Sequence, residues 1–334
     1  MQRAFSILLA ALVCGLPAHA QTVRVGELGI VADAPVYIAI ESGYFARQHI
    51  EVKLEHFASA VQTTLPLAQG QLEVAGGGMG AGLFNAFARG LPLRVVMART
   101  RDKPGFSSDT LLLREDLRDT VRTVKDLKGR KIAVNAPAGA LDYMVGKMME
   151  GVGLSRDDID VSFMPWPDMA PAFANKGIDA GAVTEPFSAQ YEARGIAFPF
   201  KRAAEVVTNP PLEVSVMIYN RNWIEAQPDQ ARAFTIAFLE GVRVYYDAMR
   251  GGPSRNAVID ILTKYTALKD KSLFDRIQWS YMDPNAELSL TSLEDQKNWY
   301  AKRGAIEKPV EVKDMLDLSF QKYALEKLGR VEAQ

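Results

Sequence analysis

The chain has 334 residues, of which 48% are hydrophobic and 24% are charged, and its formal net charge is −1. This composition is typical of a soluble globular protein with one large domain or two smaller ones, and the near-zero charge argues against a nucleic-acid-binding surface. Cys14 is the only cysteine, so disulfides within the chain and thiolate metal sites are excluded.

The N-terminus has the pattern of a secretory signal. It reads MQRAFSILLAALVCGLPAHAQT, with Arg3 as the only charge, an apolar run over 5–16 and the small-residue sequence AHA at 18–20. We expect residues 1–20 to be a signal peptide cleaved after Ala20, which would place the mature chain in the periplasm and remove its only thiol. A buried first helix is the alternative. No later stretch has the roughly 18 unbroken apolar residues that a membrane span needs.

Strand-like and helix-like stretches then alternate. The predicted strands are TVRVGELGI, IEVKLEHF, LEVAGG and LRVVMART, and the predicted helices between them are APVYIAIESGYFARQ, SAVQTTLPLAQG and MGAGLFNAFARG. Pro66 lies inside the second helix and weakens the prediction that this helix is continuous. The order favours a mainly parallel sheet with helices on both faces.

A second unit with the same plan begins near DTLLLRED (109–116). Strands are predicted in KIAV, IDVSFMPW and IDAGAVT, and helices in AGALDYMVGKMMEGVGL, PDMAPAFANKG and EPFSAQYEARG. Asp168 is the predicted N-cap of the second of these helices. From about Glu213 there is one more strand, LEVSVMIYN, followed by a charged helical tail. Its longest helix has an apolar stripe of Phe234, Ala237, Phe238, Gly241, Val242 and Tyr245.

Ligands of open parallel sheets bind outside the carboxyl ends of the strands. The candidate segments are therefore 30–35, 57–60, 76–81, 99–106, 135–141, 165–169 and 184–186. The glycine-rich stretch LEVAGGGMGAGLFNAFARG at 72–90 matches neither G-x-G-x-x-G nor a P-loop, so a nucleotide-binding function is not supported. Two interpretations remain open: the glycines allow tight packing, or they form a backbone cradle for a ligand.

Catalytic and metal-binding motifs are missing from the sequence. Beyond residue 20 it has two histidines: His49, expected in an exposed turn, and His56, expected at a strand end near the cleft. There is no G-x-S-x-G, no H-E-x-x-H and no Cys/His cluster. We therefore expect neither an enzyme nor a cofactor or metal.

Two acidic residues are placed to face the cleft, and each has two interpretations. Asp33 and Glu185 either contact the ligand or act at the start of the helix that follows each of them. Tyr37, Phe106 and Trp166 are candidate stacking surfaces, although aromatic side chains at such positions commonly belong to the core. A separate pair of cations, Arg101 and Lys103, is expected at a strand end, free in solvent or near the ligand.

Four stretches in order resemble a known family. They are APVYIAIESGYFARQHIEVKLEHF, LAQGQLEVAGGGMGAGLFNAFARGLPLRVV, VKDLKGRKIAVNAPAGALDYMVGKMMEGVGL and DMAPAFANKGIDAGAVTEPF, within about 22–220. The sequence is similar here to periplasmic solute-binding proteins of ABC importers, in the group that handles taurine, aliphatic sulfonates, nitrate and the pyrimidine precursor of thiamine.

The resemblance implies an α/β fold with two lobes, the type II periplasmic binding protein fold, with parallel-rich sheets, a hinge cleft and a helical C-terminal tail. Lobe 1 would span 21–112 and 211–334, lobe 2 would span 113–210, and the crossovers would lie near 111–115 and 208–215. The implied function is to capture a small organic molecule and deliver it to a membrane permease and its ATPase, as a monomer without nucleic acid. An enzyme on the same fold and a periplasmic sensor are the alternatives.

Carried over by position, the family's pocket falls on eight residues: Asp33, Ser59, Ala60, Gly78, Met79, Gly139, Met169 and Glu185. Two departures bear on the ligand. The taurine and sulfonate members have hydroxyl-rich residues where this chain has APAGAL (136–141), and an aromatic residue where it has Glu185. A sulfonate, an aromatic carboxylate and a neutral or cationic heterocycle all remain candidates.

Overall fold

The computed structural model describes residues 21–333, so the predicted signal peptide lies outside the described residues. The ten strands are β1 (Gln21–Glu27), β2 (Ile50–His56), β3 (Val74–Gly78), β4 (Leu93–Asp102), β5 (Asp109–Arg114), β6 (Lys131–Val134), β7 (Asp160–Phe163), β8 (Ala180–Thr184), β9 (Ala197–Arg202) and β10 (Leu212–Asn220). None of the helices in this part of the chain has the length and apolar character needed to cross a membrane.

The helices lie between and after these strands. They are α1 (Ala34–Glu41), α2 (Tyr44–Arg47), α3 (Ala60–Ala68), α4 (Ala81–Ala88), α5 (Ala140–Glu150), α6 (Trp166–Ala174), α7 (Phe187–Ala193), α8 (Ala203–Val206), α9 (Arg221–Ala226), α10 (Pro228–Met249), α11 (Arg255–Tyr265), α12 (Leu290–Lys302) and α13 (Ser319–Leu328). The last five helices confirm the predicted helical C-terminal region.

The strands form two five-stranded sheets, with the orders β2-β1-β3-β10-β4 and β7-β6-β8-β5-β9. In each sheet one inner strand, β10 or β5, is antiparallel to its neighbours, and the remaining pairings are parallel. Two sheets with helices around them confirm the predicted two-lobed α/β fold. We call the part around the first sheet lobe 1 and the part around the second sheet lobe 2.

The chain passes between the sheets at 103–108, the first crossover, and again at 207–211. The expected position of the first crossover, 111–115, was wrong, because these residues lie within or just after β5. Leu111, Leu112 and Leu113 are fully buried and pair with β8 on one side and β9 on the other. This apolar run therefore belongs inside the second sheet.

Several element boundaries differ from those predicted. The helix expected over 34–48 is divided into α1 and α2, because Gly43 adopts a left-handed conformation with φ 69°. Pro66 does not interrupt the predicted helix, since α3 continues for two residues beyond it. Asp168 is not an N-cap: α6 begins at Trp166, so Asp168 lies in its first turn.

The longest helix of the tail, α10, packs against α1 of lobe 1. All six residues of the predicted apolar stripe of α10 are buried. Gly241 allows the closest approach, because a Cβ at this position would lie 2.2 Å from the carbonyl oxygen of Pro35 in α1. This packing holds α1, and with it the loop before α1, in a fixed position at the carboxyl end of β1.

Candidate functional site

A cleft lies between the two lobes at the carboxyl ends of the parallel strands. Lobe 1 lines it with residues after β1, with α3, with the inner strands β3 and β10, and with the edge strand β4. Lobe 2 contributes residues after β6, β7 and β8. This is the location that the strand-end argument predicts.

The glycine run of β3 makes room for side chains that cross it. A Cβ at Gly76 would lie 1.6 Å from Nη1 of Arg99, and one at Gly77 would lie 2.5 Å from Cδ1 of Ile218. Gly78 is different, since its Cβ would meet nothing closer than 3.7 Å. The first two glycines are therefore needed for packing at the floor of the cleft, while Gly78 leaves open space beside it.

The guanidinium group that lies over Gly76 belongs to Arg99, whose side chain is only 3% exposed. Its Nη2 donates to Oδ1 of Asp33 at 2.6 Å and to the carbonyl oxygen of Ala32 at 2.8 Å. Its Nε is buried and has no hydrogen-bond partner. Arg99 lines the cleft, so the wall of the cleft contains a charged side chain with one unpartnered N–H.

Asp33 positions this arginine. Besides the ion pair, its Oδ2 accepts the N–H groups of Leu28 at 3.0 Å and Ile30 at 3.2 Å. Its side chain makes no capping bond to α1, although it occupies the N-cap position. The carboxylate is thus engaged on both oxygens, and it holds the loop after β1 against Arg99.

Trp166 supplies a second unpartnered donor from the opposite lobe. It begins α6 and is 5% exposed, and its Nε1 is buried without a hydrogen-bond partner. Its ring lies 5.8 Å from that of Phe187, with 28° between the planes, and its carbonyl oxygen accepts from the Tyr191 hydroxyl. Trp166 lines the cleft, so each lobe contributes a lining residue that carries one buried N–H without a partner.

Glu185 acts at a helix start. Its Oε2 accepts the N–H of Ala189 in the first turn of α7 at 3.1 Å, and its Oε1 accepts the N–H of Gln278 at 3.1 Å. Burial raises its pKa to about 7, against the lowering effect of these hydrogen bonds. Its own carbonyl oxygen accepts from Val31 N at 3.3 Å. Glu185 therefore joins lobe 2 to lobe 1 and does not line the cleft.

The other predicted pocket residues divide into two groups. Ala60, Gly78 and Gly139 line the cleft. Met79 and Met169 are fully buried in the hydrophobic core, and Ser59 is buried beside the cleft at the start of α3; none of these three lines it.

The candidate aromatic and basic residues also have partners. Tyr37 stacks on Tyr265 with ring centres 4.5 Å apart, away from the cleft. Phe106 packs against Tyr281 with ring centres 6.0 Å apart. His49 is exposed in a turn as expected, and His56 contacts Oε1 of Glu27 through Nδ1 at 3.0 Å.

The expectation of free cations at 101 and 103 was wrong. Arg101 donates to the buried carboxylate of Glu213 at 2.8 Å, and the Lys103 ammonium lies 3.6 Å from the ring centre of Tyr281. Arg99 is a cation that does line the cleft. The sequence analysis included it only as part of the candidate segment 99–106. An arginine inside the apolar strand LRVVMART, in a chain whose preceding predicted strand carries a run of glycines, was the available signal.

Within residues 21–333, no group of three or more His, Cys, Asp or Glu side chains is arranged to hold a metal ion. Comparison with curated proteins found no match. A family model described as NMT1-like matches residues 17–252. The chain belongs to the NMT1-like family.

Solved structures with the same fold are distant in sequence. The alkanesulfonate-binding protein SsuA from Xanthomonas axonopodis pv. citri, bound to MOPS, is 18% identical, with a TM-score of 0.72 over 89% of this chain and 98% of SsuA. The periplasmic nitrate-binding protein NrtA from Synechocystis PCC 6803 is 14% identical, with a TM-score of 0.75 over 93% and 89%.

The periplasmic aliphatic sulphonate binding protein SsuA from Escherichia coli is 17% identical, with a TM-score of 0.70 over 90% of this chain and 99% of that protein. These matches confirm that the NMT1-like chain has the fold of periplasmic binding proteins.

Proposed function

We propose that this protein is the periplasmic substrate-binding component of an ABC-type importer. It captures a small organic anion between its lobes, as a monomer, and presents it to a membrane permease and its ATPase. The observation that carries the proposal is the pair of buried donors without partners, Arg99 Nε and Trp166 Nε1, one from each lobe and both at the same cleft.

Such donors favour a ligand that accepts hydrogen bonds. A buried N–H without a partner costs about 1–3 kcal/mol, and a ligand oxygen placed between the lobes removes this cost for both groups together. The bound form is thereby stabilised only when the two lobes are close. This coupling of ligand to closure is the property that a hinge-type carrier needs.

The cleft also limits the charge and shape of the ligand. The charge of Arg99 is already balanced by Asp33, so the site favours one negative charge over two. Much of the remaining lining is apolar, including Leu28, Leu141 and Ile218. A monoanion with a hydrophobic body, such as an organic sulfonate or an aromatic carboxylate, fits both features.

Two further facts support this class. The fold relatives include a protein named as alkanesulfonate-binding and bound to MOPS, and another named as nitrate-binding. The carboxylate that favoured a cationic heterocycle, Glu185, accepts two backbone N–H groups instead of facing the cleft. We therefore place the anion ahead of the heterocycle.

The test is a thermal-shift screen of the purified protein, followed by calorimetric titration of the hits. The probes are alkanesulfonates, benzoate derivatives, nitrate, taurine and aminopyrimidines. A ligand at 100 times its Kd stabilises the native state by about 2.7 kcal/mol, enough for a clear rise in Tm. A response to the pyrimidines alone would contradict the proposed ligand class.

Variants then tie the response to the cleft. R99Q would leave the buried Asp33 without its cation, so the D33N/R99Q double variant is tested beside it. Both should bind the hit at least tenfold more weakly, while R94Q should bind normally, because Arg94 lies on the same strand and does not line the cleft. Unchanged affinity in D33N/R99Q would refute the role of Arg99.

A further inference from the structure

The tail helix α12 contacts both lobes, although none of its residues lines the cleft. Residues four positions apart lie on the same face of a helix, and two such rows run side by side along α12. The first row is Ser292, Gln296 and Tyr300, and the second row is Asp295, Trp299 and the C-cap residue Arg303. The first row bonds to lobe 1 and the second row bonds to lobe 2.

The first row fixes α12 to the main chain of lobe 1. Oγ of Ser292 accepts the N–H of Glu213 in β10 at 2.8 Å, and Nε2 of Gln296 donates to the carbonyl oxygen of Glu213 at 2.9 Å. The hydroxyl of Tyr300 donates to the carbonyl oxygen of Met79, just after β3, at 3.1 Å. All three side chains of the row are buried, so α12 is a fixed part of lobe 1.

The second row reaches the side chains of α5 in lobe 2. Oδ2 of Asp295 accepts from the hydroxyl of Tyr143 and lies 3.2 Å from Nζ of Lys147. Nε1 of Trp299 donates to Oε1 of Glu150, the last residue of α5, at 2.9 Å. The three partners in α5 follow one another at intervals of four and three residues, so one face of α5 meets one face of α12.

Trp299 lies at the centre of this contact. It is 6% exposed, and its ring centre lies 5.5 Å from that of Tyr143, with 83° between the planes. A Cβ at Gly146 of α5 would lie 2.2 Å from Cζ2 of Trp299. Glycine is a poor helix former, so its position inside α5 is explained by the close approach of the indole ring. Arg303 donates to Oδ1 of Asp157 at 2.6 Å and extends the contact beyond α12.

The helix that α12 holds in lobe 2 begins at the cleft. Gly139, Ala140 and Leu141, at the start of α5, line the cleft. We propose that α12 is an interlobe clasp, which is fixed to lobe 1 by its first row, holds lobe 2 by its second row, and keeps the lobes together in the ligand-free protein. Asp295 and Trp299 are then positioning residues for the cleft, and they act through α5 without touching the ligand.

A clasp also affects ligand affinity. A ligand that binds only the closed form loses affinity in proportion to the fraction of the protein that is closed. A variant whose closed form falls to about one tenth of the population should therefore bind about tenfold more weakly. This effect on affinity rests on the proposed function, whereas the effect on the shape of the ligand-free protein does not.

The experiment compares two clasp variants with two matched controls. D295A removes the carboxylate that α5 contacts, while E294A removes the neighbouring carboxylate, whose ion-pair partner Lys297 belongs to α12 itself. W299A removes the indole ring from the contact, while W223A removes a tryptophan whose ring contact and hydrogen bonds lie within lobe 1. Each control thus resembles its clasp variant in the group removed and differs from it in the lobe contacted.

Small-angle X-ray scattering measures the radius of gyration of the ligand-free proteins at neutral pH. D295A and W299A should have a larger radius than the wild type, with the greater increase in W299A, while E294A and W223A should keep the wild-type radius. Hydrogen exchange followed by NMR compares D295A with E294A at the amide of Val31, which donates to the carbonyl oxygen of Glu185 in lobe 2 at 3.3 Å. Exchange there should be faster in D295A alone, because its lobes separate more often.

Two results would overturn the proposal. A wild-type radius in both clasp variants would leave α12 as a packing element without a role in closure, and D295A decides this should W299A not fold. An equal increase in radius in W223A and W299A would show general loosening rather than loss of a clasp. If the clasp variants open but none of the probes in the ligand screen binds to any form of the protein, the clasp stands and the proposed transport function fails.

Discussion

Two regions of the molecule bury aspartate side chains with different partners. Asp33, in the loop after β1, is paired with the guanidinium of Arg99 at 2.6 Å and accepts two backbone N–H groups. Asp102 and Asp109, on either side of the first crossover, are 0% and 1% exposed, and neither forms an ion pair with a residue in 21–333. Burial raises the pKa of both Asp102 and Asp109. A nearby cation stabilises a buried carboxylate in its charged form, whereas burial without a cation favours the protonated form.

The largest expected effect comes from removing the charge of Asp33. D33N leaves a guanidinium that is 3% exposed without its counter-charge, and breaking a buried ion pair costs about 3–5 kcal/mol. Urea unfolding at neutral pH should show this loss in midpoint with an unchanged m-value. The D33N/R99M variant should recover most of it, since both charges are then absent. Equal instability in the single and double variants would contradict the pairing account.

The next effect concerns Gly76, whose lack of a side chain leaves room for the guanidinium group of Arg99. G76A puts a Cβ where Nη1 of Arg99 lies, 1.6 Å away, and overpacking of a core site typically costs about 1–3 kcal/mol. We expect a lower Tm and weaker binding of any ligand found by the screen. G78A is the control for stability, since its nearest contact would be 3.7 Å away, and its Tm should be almost that of the wild type. Equal losses in both variants would show that the whole run, rather than Gly76, is the constraint.

The carboxyl group of Glu185 should make the stability of the native state depend on pH. Its pKa of about 7 is above that of an unfolded glutamate, so the native state holds an extra proton between about pH 4.5 and 7 and loses stability as the pH rises through this window. E185Q is neutral throughout, so its unfolding free energy should change less with pH. Ligand affinity should stay within about twofold, because Glu185 does not line the cleft. A tenfold loss of affinity would restore the ligand-contact interpretation.

The smallest effect belongs to a surface pair. Arg89 and Glu307 form an ion pair, and their side chains are 59% and 50% exposed. Exposed pairs contribute little to stability, because water and salt screen both charges. R89Q should therefore change the urea midpoint very little, and less still in high salt. A loss as large as that of D33N would break the proposed distinction between buried and exposed ion pairs.

The sequence was informative where side-chain periodicity determines structure. Alternation predicted the two sheets, and the strand-end rule placed the cleft at the carboxyl ends of the strands. It was less informative where a long-range partner decides a residue's role. The sequence around Asp33 does not show that Arg99, 66 residues away, donates a hydrogen bond to one of its oxygens. Likewise, the sequence around Glu185 does not show that its carboxylate accepts the backbone N–H of Gln278.

Positional resemblance had a similar limit. Of the residues it selected, Ala60, Gly78 and Gly139 line the cleft, whereas Met79 and Met169 are fully buried in the core. A methionine after a strand is next to the cleft in sequence whichever way its side chain points. The resemblance did not select Arg99, because this residue lies inside β4 and not after it. Its side chain reaches the cleft across the backbone of Gly76.

The lobes also meet directly through their backbones. The N–H of Ala81, at the start of α4, donates to the carbonyl oxygen of Ala138 at 2.9 Å, and a Cβ at Gly80 would lie 2.8 Å from that oxygen. Ala138 has a φ of 48°, and the carboxylate of Asp142 accepts its N–H at 3.0 Å. A main-chain contact is independent of the side chains that line a cleft. Under the proposed function, cleft-lining side chains could therefore diverge to suit new cargo while the closed shape met by the membrane partner remains constant.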